Sequence, residues 1–516
     1  MSGLPPNPLP EEGGDHGSLR SLGGGSAFLG RPGDGAMNVL DQLRQRGIVP
    51  AQLAADSRKI RPGDVFVAFP GTHVDGREFI GQALQRGAAA VIAEAGANAH
   101  KNAGVPVIEV AGLGALSGEL AHLVYGRPSE KLWLAGVTGT NGKTSVSQWI
   151  AQAMDALGQR CAVVGTLGNG FVDALVESPN TTPDAITLHA ALAGFLDRGA
   201  KACAMEVSSI GLDQGRVNGA AFDVAVFTNL TRDHLEYHGT MEAYAAAKER
   251  LFVMPGLGAA VINLDDPFGS ELARRLKGHV PTMGYTLGNA QRATDEVLAA
   301  ENLRMGAAGI EFELRGASIA VSVVGRFNAS NLLAVAGALL ARGERPEAIA
   351  VALEGIRPPP GRMQALGGRG APLVVVDYAH TPDALEKALG VLRETAAARG
   401  GRLVCVFGCG GERDPGKRPQ MGAIAERLAD LVLVTSDNPR GEDPQAIIDG
   451  IADGMEVRPQ DEVDRVRAVA EAIRTADVRD VILLAGKGHE AYQEIAGVRH
   501  SYSDLAAAMS ALEARR

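Results

Sequence analysis

The sequence predicts an α/β protein of three domains, two of which contain a doubly wound parallel sheet. The chain has 516 residues, and at about 150 residues per domain three domains are expected. Short apolar runs without polar alternation recur between helical stretches, which is typical of parallel strands buried on both faces. Glycine is abundant, with 66 residues, as many tight strand-to-helix turns require.

Composition and charge exclude several classes of protein. Hydrophobic residues make up 46% and charged residues 21%, which is ordinary for a globular protein with buried cores. The formal net charge of −10 argues against a nucleic-acid or anionic-membrane partner, because both need a basic surface. There is no run of 18 apolar residues, no signal peptide and no CxxC pair among the four cysteines. We therefore expect a reduced, cytoplasmic protein without membrane insertion.

The N-terminal third begins with a segment of unusual composition. Residues 1–36 contain 10 Gly and 5 Pro, too little apolar material to offset the entropy of ordering, so a disordered tail is predicted. An interaction arm is the alternative. Residues 37–111 then form the first predicted domain, a compact α/β segment in which 79–94 (FIGQALQRGAAAVIAE) has a helix-like pattern.

The central domain is predicted over 112–359 and the C-terminal domain over 360–516. The central strands are predicted in the apolar runs at 132–139, 161–165, 202–209, 222–230 and 259–266. A more polar, strand-like section follows at 267–325, and a helix begins at about Phe327. The Pro-rich segment 356–362 marks the next boundary. The C-terminal strands are predicted in the runs at 372–380, 402–408, 430–438 and 480–488.

The most specific motif is GVTGTNGKTS, from Gly136 to Ser145, between an apolar strand and a helix. Backbone N–H groups of such a turn point at phosphate oxygens, Lys143 adds charge near the β- and γ-phosphates, and the Thr144 hydroxyl can reach Mg²⁺. Val137 stands where the strict P-loop pattern has glycine, and Gly139 and Gly142 supply the flexibility instead. The motif predicts a site for ATP or GTP; a Gly-rich turn without nucleotide is the alternative.

Acidic and imidazole groups stand at other predicted strand ends. Glu206 ends one run, and His234 follows another within NLTRDHLEYHGT. Open α/β sheets bind ligands beyond the carboxyl ends of their strands, so these groups suit a hard cation beside a triphosphate. Taken singly, Glu206 could cap a helix, and His234 could be structural. Lys248, one of ten lysines against forty arginines, could equally belong to a solvated helix face.

Four polar clusters follow the C-terminal strands: 377–384 (DYAHTPDA), 407–418 (FGCGGERDPGKR), 436–444 (SDNPRGEDP) and 485–490 (AGKGHE). Arg413, Arg440 and Lys487 supply cations around a Gly-rich crevice. Because arginine binds carboxylates bidentately, the crevice suits an anionic small molecule. Cys405 and Cys409 are better explained as buried strand residues than as metal ligands.

These motifs, together with NTTPDA, MEVSSIGLDQGRV, AAKERLF and VGRFNASN, occur in one order along the chain. In that combination the sequence resembles the Mur ligase family over essentially all of 37–516. The resemblance implies three domains: one for a uridine nucleotide, a central P-loop ATPase-like parallel-sheet domain for ATP, and a Rossmann-like domain for the incoming amino acid.

The resemblance also implies an activity, an ATP-dependent amide ligation in peptidoglycan precursor synthesis. A phosphoryl group would pass from ATP to the free carboxylate of UDP-N-acetylmuramoyl-L-alanyl-D-glutamate. The amino group of meso-2,6-diaminopimelate, rather than of L-lysine, would then attack the acyl phosphate. The implied partners are these small molecules alone, with Mg²⁺ as the cofactor and a monomeric enzyme.

Site residues follow from the resemblance motif by motif. Lys143, His234 and Lys248 would be catalytic, with Lys248 carbamylated. One Mg²⁺ would be held by Thr144 and Glu206 and a second by His234 and Lys248. ATP would contact Gly139, Thr140, Asn141, Gly142, Lys143, Thr144, Asn331, Arg362, Asp377 and His380. The uridine nucleotide substrate would contact Ser57, Thr72, His73, Val74, Asn180, Thr181, Thr182, Ser208, Gln214 and Arg216. Diaminopimelate would contact Arg413, Asp437, Asn438, Pro439, Arg440, Gly486 and Glu490.

Alternatives remain at this point. Turn or capping chemistry would explain several of these polar residues without a ligand, above all Thr181, Thr182 and Asn331. A P-loop switch that hydrolyses nucleotide without ligation would leave the C-terminal crevice unused. Folylpolyglutamate synthases share the architecture but match the SDNPR and MEVSSIGLDQGRV segments less well.

Overall fold

The computed structural model describes residues 34–71, 74–96, 104–288, 294–306, 309–368 and 370–515. The predicted tail lies outside the described residues up to position 33. Its last residues were assigned wrongly, because helix α1 (Asp34–Gln45) already includes them and Ala36 is fully buried. No helix among the described residues is both long enough and apolar enough to span a bilayer.

The first sheet has four parallel strands in the order β1-β2-β3-β4. They are β1 (Leu53–Ala54), β2 (Val65–Ala68), β3 (Ala90–Glu94) and β4 (Val107–Val110). Helices α1 and α3 (Leu113–Val124) pack on one face, and α2 (Ile80–Gln85) packs on the other. Because Leu113 and Leu120 join this core, the predicted boundary at 111 separates α3 from the sheet it covers.

The helix-like pattern predicted over 79–94 is only partly correct. The helix ends at Gln85, and Gly87 follows in the left-handed region with φ 92°. Val91 and Ile92 are β-branched and fully buried on opposite faces of β3. Such residues favour a strand, which outweighs the alanines around them.

The central sheet has nine strands in the order β13-β12-β11-β10-β5-β9-β6-β7-β8. They are β5 (Trp133–Thr138), β6 (Cys161–Gly165), β7 (Gly168–Phe171), β8 (Ala174–Val176), β9 (Ala202–Glu206), β10 (Val224–Phe227), β11 (Ala259–Asn263), β12 (Thr282–Thr286) and β13 (Glu296–Ala299). Neighbouring strands are parallel except for the β6–β7 and β7–β8 pairs, because β7 runs opposite to the rest. The associated helices are α4 (Lys143–Ala156), α5 (Ala185–Asp197), α6 (Ser209–Asp213), α7 (Leu235–His238), α8 (Met241–Glu249) and α9 (Pro267–Leu276).

The section predicted as strand-like over 267–325 begins instead with α9, which Asp266 caps by accepting a hydrogen bond from Gly269 N. Strands do follow, as a small antiparallel sheet of β14 (Glu301–Gly306), β15 (Gly309–Leu314) and β16 (Ala317–Val321). Helices α10 (Arg326–Ala341) and α11 (Pro346–Glu354) complete this unit. The buried α10 packs on the central sheet and α11 packs on the small sheet, and all of them share one apolar core.

The C-terminal sheet has six strands in the order β17-β18-β22-β19-β20-β21, parallel except for β17. They are β17 (Gln364–Gly367), β18 (Leu373–Asp377), β19 (Leu403–Phe407), β20 (Leu431–Thr435), β21 (Gln460–Glu462) and β22 (Val481–Ala485). Its helices are α12 (Pro382–Arg399), α13 (Lys417–Leu428), α14 (Pro444–Ala452), α15 (Arg465–Thr475) and α16 (Asp504–Ala514). A hairpin of β23 (Tyr492–Ile495) and β24 (Val498–Ser501) follows β22.

The predicted α/β class with two doubly wound sheets is confirmed. In the central sheet β5 lies between β9 and β10, and in the C-terminal sheet β22 lies between β18 and β19. The polar segments that follow these strands are therefore neighbours in space, at the edge where open α/β sheets bind ligands. Cys405 lies in β19, and both it and Cys409 are buried and free, as predicted.

Candidate active site

The Gly-rich turn after β5 wraps around the N-terminus of α4. Gly139 and Gly142 have φ values of 146° and 86°. A Cβ on Gly139 would collide with Thr228 Oγ1, and one on Gly142 would lie 2.6 Å from Asn331 Oδ1. Both positions therefore require glycine, and the first backbone N–H groups of α4 remain available to an anion.

Two lysines share one acceptor inside this turn. Lys143 Nζ and Lys248 Nζ donate to the Gly139 carbonyl at 2.8 and 2.9 Å. Burial lowers the pKa of Lys143. Burial, and then the charge on Lys143, lower the pKa of Lys248 well below its usual value. Lys248 is also 4.2 Å from the ring centre of Tyr244 and fully buried, so the alternative of a solvated helix face is wrong.

Glu206 lies directly opposite the turn, at the end of β9. Its Oε2 accepts hydrogen bonds from Thr144 Oγ1 at 3.0 Å and Thr166 Oγ1 at 3.1 Å, and its Oε1 accepts one from Thr166 N at 2.8 Å. Arg362 Nη2 also donates to Thr144 Oγ1 at 3.0 Å. Glu206 does not cap the next helix, since Ser208 does so. Nothing in the sequence singles out Thr166.

The donor set fits a hard cation. The Thr144 hydroxyl and the Glu206 carboxylate are oxygen ligands in contact, and they lie beside a turn suited to phosphate, which supplies further oxygens. Within the described residues no group of three or more His, Cys, Asp or Glu side chains is arranged to hold a metal. A metal here would therefore depend on oxygen atoms from hydroxyls and from substrate.

His234 adopts a left-handed backbone conformation, φ 53°, just before α7. Its ring nitrogens lie 3.5 Å from Asp233 Oδ2 and 3.7 Å from Glu236 Oε1. Together with Thr144, Glu206 and Lys248, His234 lines one cleft. The structure thus brings all four predicted metal-site residues to the same cavity.

Asp233 is a site residue that the sequence reasoning missed. Burial would raise its pKa, but the positive charges of His234, His380, Lys417 and Lys143 outweigh burial and lower the pKa to about 2. It therefore stays ionised between the two halves of the cleft. The position of Asp233 next to His234 in the NLTRDH motif is the sequence feature that could have indicated it.

The residues predicted around ATP divide into two groups. Arg362 and His380 line the cleft, and burial lowers the pKa of His380 to about 4. Asn331 abuts Gly142 and donates to Asn328 Oδ1 at 3.3 Å. Asp377 is not among the side chains that line the cleft. Its carboxylate accepts a hydrogen bond from Met363 N at 2.7 Å, and burial raises its pKa.

The residues predicted around the uridine nucleotide are only partly clustered. Arg216 donates to Gln214 Oε1 at 2.9 Å and to the Thr182 carbonyl at 2.8 Å. Ser208 lies beside Thr182, 3.2 Å between hydroxyls, and Thr181 contacts Thr166. Asn180 and Val74 are exposed. Ser57 is buried at the start of a short 3-10 helix that follows β1, and its hydroxyl donates to Gln82 Oε1. Thr72 and His73 lie outside the described residues.

A second cleft contains the residues predicted to bind diaminopimelate. It is lined by Arg413, Asp437, Asn438, Arg440, Gly486 and Glu490, and Pro439 is buried between Asn438 and Arg440. Asn438 Nδ2 donates to Glu490 Oε2 at 2.8 Å. A Cβ on Gly486, with φ 108°, would lie 2.6 Å from Asp437 Oδ2, so glycine lets the two loops approach.

Arg440 is fixed by the hairpin β23–β24. Its backbone N–H donates to the Glu494 carbonyl at 3.0 Å, and its carbonyl accepts from Ala496 N at 2.7 Å. Its Nη1 donates to the Gly411 carbonyl at 2.8 Å. Its Nε is 4.0 Å from Glu494 Oε2. By contrast, Arg413 is exposed and donates only a long bond, 3.3 Å, to the adjacent Glu412 carbonyl.

The two clefts adjoin, since Asp233, His234, Tyr378 and His380 line both. Contacts across the units hold them together. Arg232 pairs with Asp414 at 2.8 Å, and Asn141 Nδ2 in the Gly-rich turn donates to Asp383 Oδ2 at 2.8 Å. The cavity therefore runs from a phosphate-type site in the central unit to a charged crevice in the C-terminal unit.

Comparisons with known proteins agree with this architecture. Three family models match: the Mur ligase family catalytic domain at 51–125, the Mur ligase middle domain at 137–339, and the Mur ligase glutamate ligase domain at 361–488. The chain is 54% identical over 488 residues, 93% of this chain and 98% of the relative, to the UDP-N-acetylmuramoyl-L-alanyl-D-glutamate--2,6-diaminopimelate ligase of Pseudomonas aeruginosa. A protein of the same name from Ralstonia nicotianae is 53% identical over 493 residues, 92% of this chain and 96% of the relative.

Solved structures give the same picture. A structure with that ligase name is 37% identical, with a TM-score of 0.63 over 90% of this chain and 95% of the other. The ADP complex of MurF ligase from Thermotoga maritima is 19% identical, with a TM-score of 0.63 over 90% and 97% of the two chains, and so supports the fold alone.

Proposed function

The chain belongs to the Mur ligase family, and we propose that it joins meso-2,6-diaminopimelate to UDP-N-acetylmuramoyl-L-alanyl-D-glutamate at the expense of ATP. The observation that carries the proposal is the shared wall of the two clefts, formed by Asp233, His234, Tyr378 and His380. A ligase must bring an activated carboxylate and an amine into contact, and adjoining clefts provide this. The names of relatives more than half identical over at least nine-tenths of the chain support the same substrates.

The reaction has two steps. A carboxylate oxygen of the uridine nucleotide substrate attacks the γ-phosphorus of ATP, and ADP leaves. The amine of diaminopimelate then attacks the acyl carbon of the acyl phosphate, and the tetrahedral intermediate collapses with loss of phosphate and a proton. Neither step requires covalent chemistry from the protein, so positioning and charge stabilisation supply the catalysis.

The Gly-rich turn would bind the triphosphate. Lys143 and the first N–H groups of α4 meet the phosphate oxygens, and Thr140, Asn141 and Thr144 lie along the same cleft. Bound Mg²⁺ would neutralise phosphoryl charge, held at one site by Thr144 and Glu206 and at a second by His234 and carbamylated Lys248. We assign Arg362 to the phosphates of ATP, because it donates to Thr144 Oγ1.

The two acceptor substrates would approach from opposite sides. We assign the muramoyl dipeptide to the cluster of Thr181, Thr182, Ser208, Gln214 and Arg216, with its uridine end on the first unit near Ser57. Diaminopimelate would occupy the second cleft, where Arg440 meets a carboxylate and Glu490 meets an ammonium group. The enzyme would act as a cytoplasmic monomer in peptidoglycan precursor synthesis.

A phosphate-release assay tests the proposal. We expect phosphate only when ATP, the uridine nucleotide substrate and diaminopimelate are all present, with one amide product formed per phosphate. Release with ATP alone would favour a nucleotide-hydrolysing switch. Release with a folate substrate and glutamate would favour a folylpolyglutamate synthase.

A further inference from the structure

Lys487 is a fully buried lysine behind the second cleft, just after β22. Its side chain has no exposed surface. Its Nζ donates to Asn438 Oδ1 at 2.9 Å and Glu490 Oε2 at 2.6 Å, and lies 3.5 Å from Asp437 Oδ1. An ammonium group has three N–H donors, so these three partners account for all of them. Lys487 therefore cannot reach a substrate and acts only through its neighbours.

Lys487 fixes which atoms of Asn438 are available to a ligand. Asn438 Oδ1 accepts from Lys487 Nζ and from Glu494 N, the latter at 2.9 Å. With two donors at Oδ1, the amide cannot flip, and Nδ2 is committed as the donor that contacts Glu490 Oε2. The remaining N–H of Nδ2 is then the one group of the amide left for another acceptor.

Lys487 also makes the two carboxylate oxygens of Glu490 different from each other. Oε2 receives both Lys487 Nζ and Asn438 Nδ2. Within the described part of the chain, Oε1 accepts one long hydrogen bond, 3.4 Å, from Tyr378 Oη. Glu490 therefore presents Oε1 to a ligand, while its Oε2 is held by the buried Lys487 ammonium and by Asn438.

The charge balance of this cleft makes that engagement important. Its lining contains five carboxylates (Asp233, Glu236, Asp414, Asp437 and Glu490) against three cationic side chains (Arg413, Lys417 and Arg440). Among the described residues, Lys487 is the cation within 4 Å of both Asp437 and Glu490, so its removal would leave these two carboxylates without an ion-pair partner. A cleft with that excess of negative charge favours a ligand whose far end is a bare ammonium over one that also carries a carboxylate.

We propose that Lys487 is a positioning and specificity-determining residue that biases the cleft toward a zwitterionic far end and against L-lysine. The inference rests on the proposed function and adds its selectivity mechanism. Arg440 attracts the far carboxylate, whereas Lys487 reduces the attraction of Glu490 and Asp437 for an unaccompanied ammonium. Arg440 thus strengthens the binding of diaminopimelate, and Lys487 weakens the binding of L-lysine.

The test compares kcat/KM for meso-diaminopimelate and L-lysine, measured by phosphate release with ATP and the uridine nucleotide substrate saturating. Lys487→Met is expected to lower the ratio of the two values at least about tenfold, mostly through the KM values of the amino acids. Lys487→Arg keeps the charge and is expected to retain most of the selectivity. Lys277→Met, at an exposed lysine on the central unit, is the control and should change nothing.

A charge-restoring double variant separates positioning from simple loss of structure. Asp437→Asn combined with Lys487→Met has the same net charge as the wild type, so its ratio should recover toward the wild-type value even if kcat does not. Thermal melting and the KM for ATP monitor folding. If Lys487→Met does not fold, the comparison of Lys487→Arg with the double variant decides.

The outcomes are distinct. A wild-type enzyme that does not use diaminopimelate overturns the proposed function itself. A wild type that uses it, with a selectivity ratio unaltered in Lys487→Met or not restored in the double variant, overturns the role of Lys487 alone. If Lys487→Met does not fold, the double variant is compared with Lys487→Arg. A selectivity ratio of the double variant more than about tenfold below that of Lys487→Arg would also overturn the role of Lys487.

Discussion

Asn141 Nδ2 donates a hydrogen bond of 2.8 Å to Asp383 Oδ2, joining the Gly-rich turn of the central unit to the first turn of α12 in the C-terminal unit. Asp383 also pairs with Lys387 on the next turn of α12. The Gly-rich turn and the C-terminal unit are therefore in direct contact. We therefore expect the binding of ATP and the binding of the amino acid to influence each other.

The first prediction tests this contact. Asp383→Ala removes the acceptor and is expected to lower kcat/KM roughly 10- to 150-fold, since a hydrogen bond to a charged group contributes about 1.5–3 kcal/mol. Asp383→Asn keeps a carbonyl acceptor and should lose less. Steady-state kinetics with ATP and the amino acid varied in turn check this, and equal activity of Asp383→Ala and wild type would show that the contact is dispensable.

The second prediction concerns Lys143. Its Nζ contacts the carbonyls of Gly139 and Thr140, and it is only half-buried, so Lys143→Ala should fold normally. Ligation should fall by about 10²–10³ or more, because a positioned cation at the transferring phosphoryl group is lost. Phosphate release and circular dichroism provide the two measurements. Near-normal turnover with an unchanged spectrum would rule out its proposed role.

The third prediction concerns carbamylation of Lys248. Burial and the charge on Lys143 lower its pKa well below normal, which favours the neutral amine, and a neutral amine can react with CO₂ to give a carbamate and a proton. Lys248→Ala should be inactive, and a short carboxylic acid in the buffer should restore part of the activity. Lys277→Ala with the same acid is the control. Full activity of Lys248→Ala would contradict the prediction.

The fourth prediction concerns the pH dependence of stability. His189 in α5 is fully buried, with Nε2 3.0 Å from the Asn218 carbonyl, and its Nδ1 has no hydrogen-bond partner among the residues that the structure describes. Burial lowers its pKa to about 4. The unfolded chain binds a proton at His189 near pH 6.5, whereas the folded chain binds it only near pH 4. The free energy of unfolding is therefore highest above pH 6.5 and falls as the pH drops toward 4.

The loss from His189 amounts to about 2 kcal/mol between pH 7 and pH 5. His189→Gln can keep the donor to Asn218 but does not titrate, so its melting temperature should fall less over this interval. Thermal melting at a series of pH values compares the two proteins. Parallel curves would show that His189 does not contribute to the acid sensitivity.

Much of the fold could be predicted because buried parallel strands leave a local signal. The predicted run at 161–165 coincides with β6, and the run at 202–209 contains β9. The errors are also local. The pattern over 79–94 mixes helix-forming alanines with β-branched residues. The section predicted as strand-like contains α9, although Asp266 as its cap and Pro267 at its first position are typical of a helix start.

The site was less accessible from the sequence. Each residue at a strand end could be found, because it follows an apolar run. The contacts between units could not, since Arg232 and Asp414 are 182 positions apart and meet only through the relative placement of two sheets. The distinction between Arg362, near Thr144, and Asp377, which instead holds a backbone N–H, also depends on side-chain packing.

The last prediction concerns the choice of meso-diaminopimelate over L-lysine. The two amino acids differ by one carboxylate, so discrimination requires a group that responds to that charge. Arg440 is suited to this role, because the hairpin fixes its backbone and, among the described residues, Nη1 is the one guanidinium nitrogen with a hydrogen-bond partner, the Gly411 carbonyl. Its nearest carboxylate contact, with Glu494, is long at 4.0 Å. The guanidinium therefore retains donors for a substrate carboxylate.

Arg440→Ala should lose this selectivity. A site built around a charged partner can reject the analogue that lacks it by roughly 10⁴-fold, and removing the partner should collapse that ratio. Arg413→Ala is the matched comparison, because Arg413 lines the same cleft but is exposed and weakly held, and it should lose far less. The measurement is kcat/KM for both amino acids with each protein. A wild type that prefers lysine, or a selectivity unaltered in Arg440→Ala, would refute the assignment of Arg440, because Arg440 would then not be the residue that binds the far carboxylate.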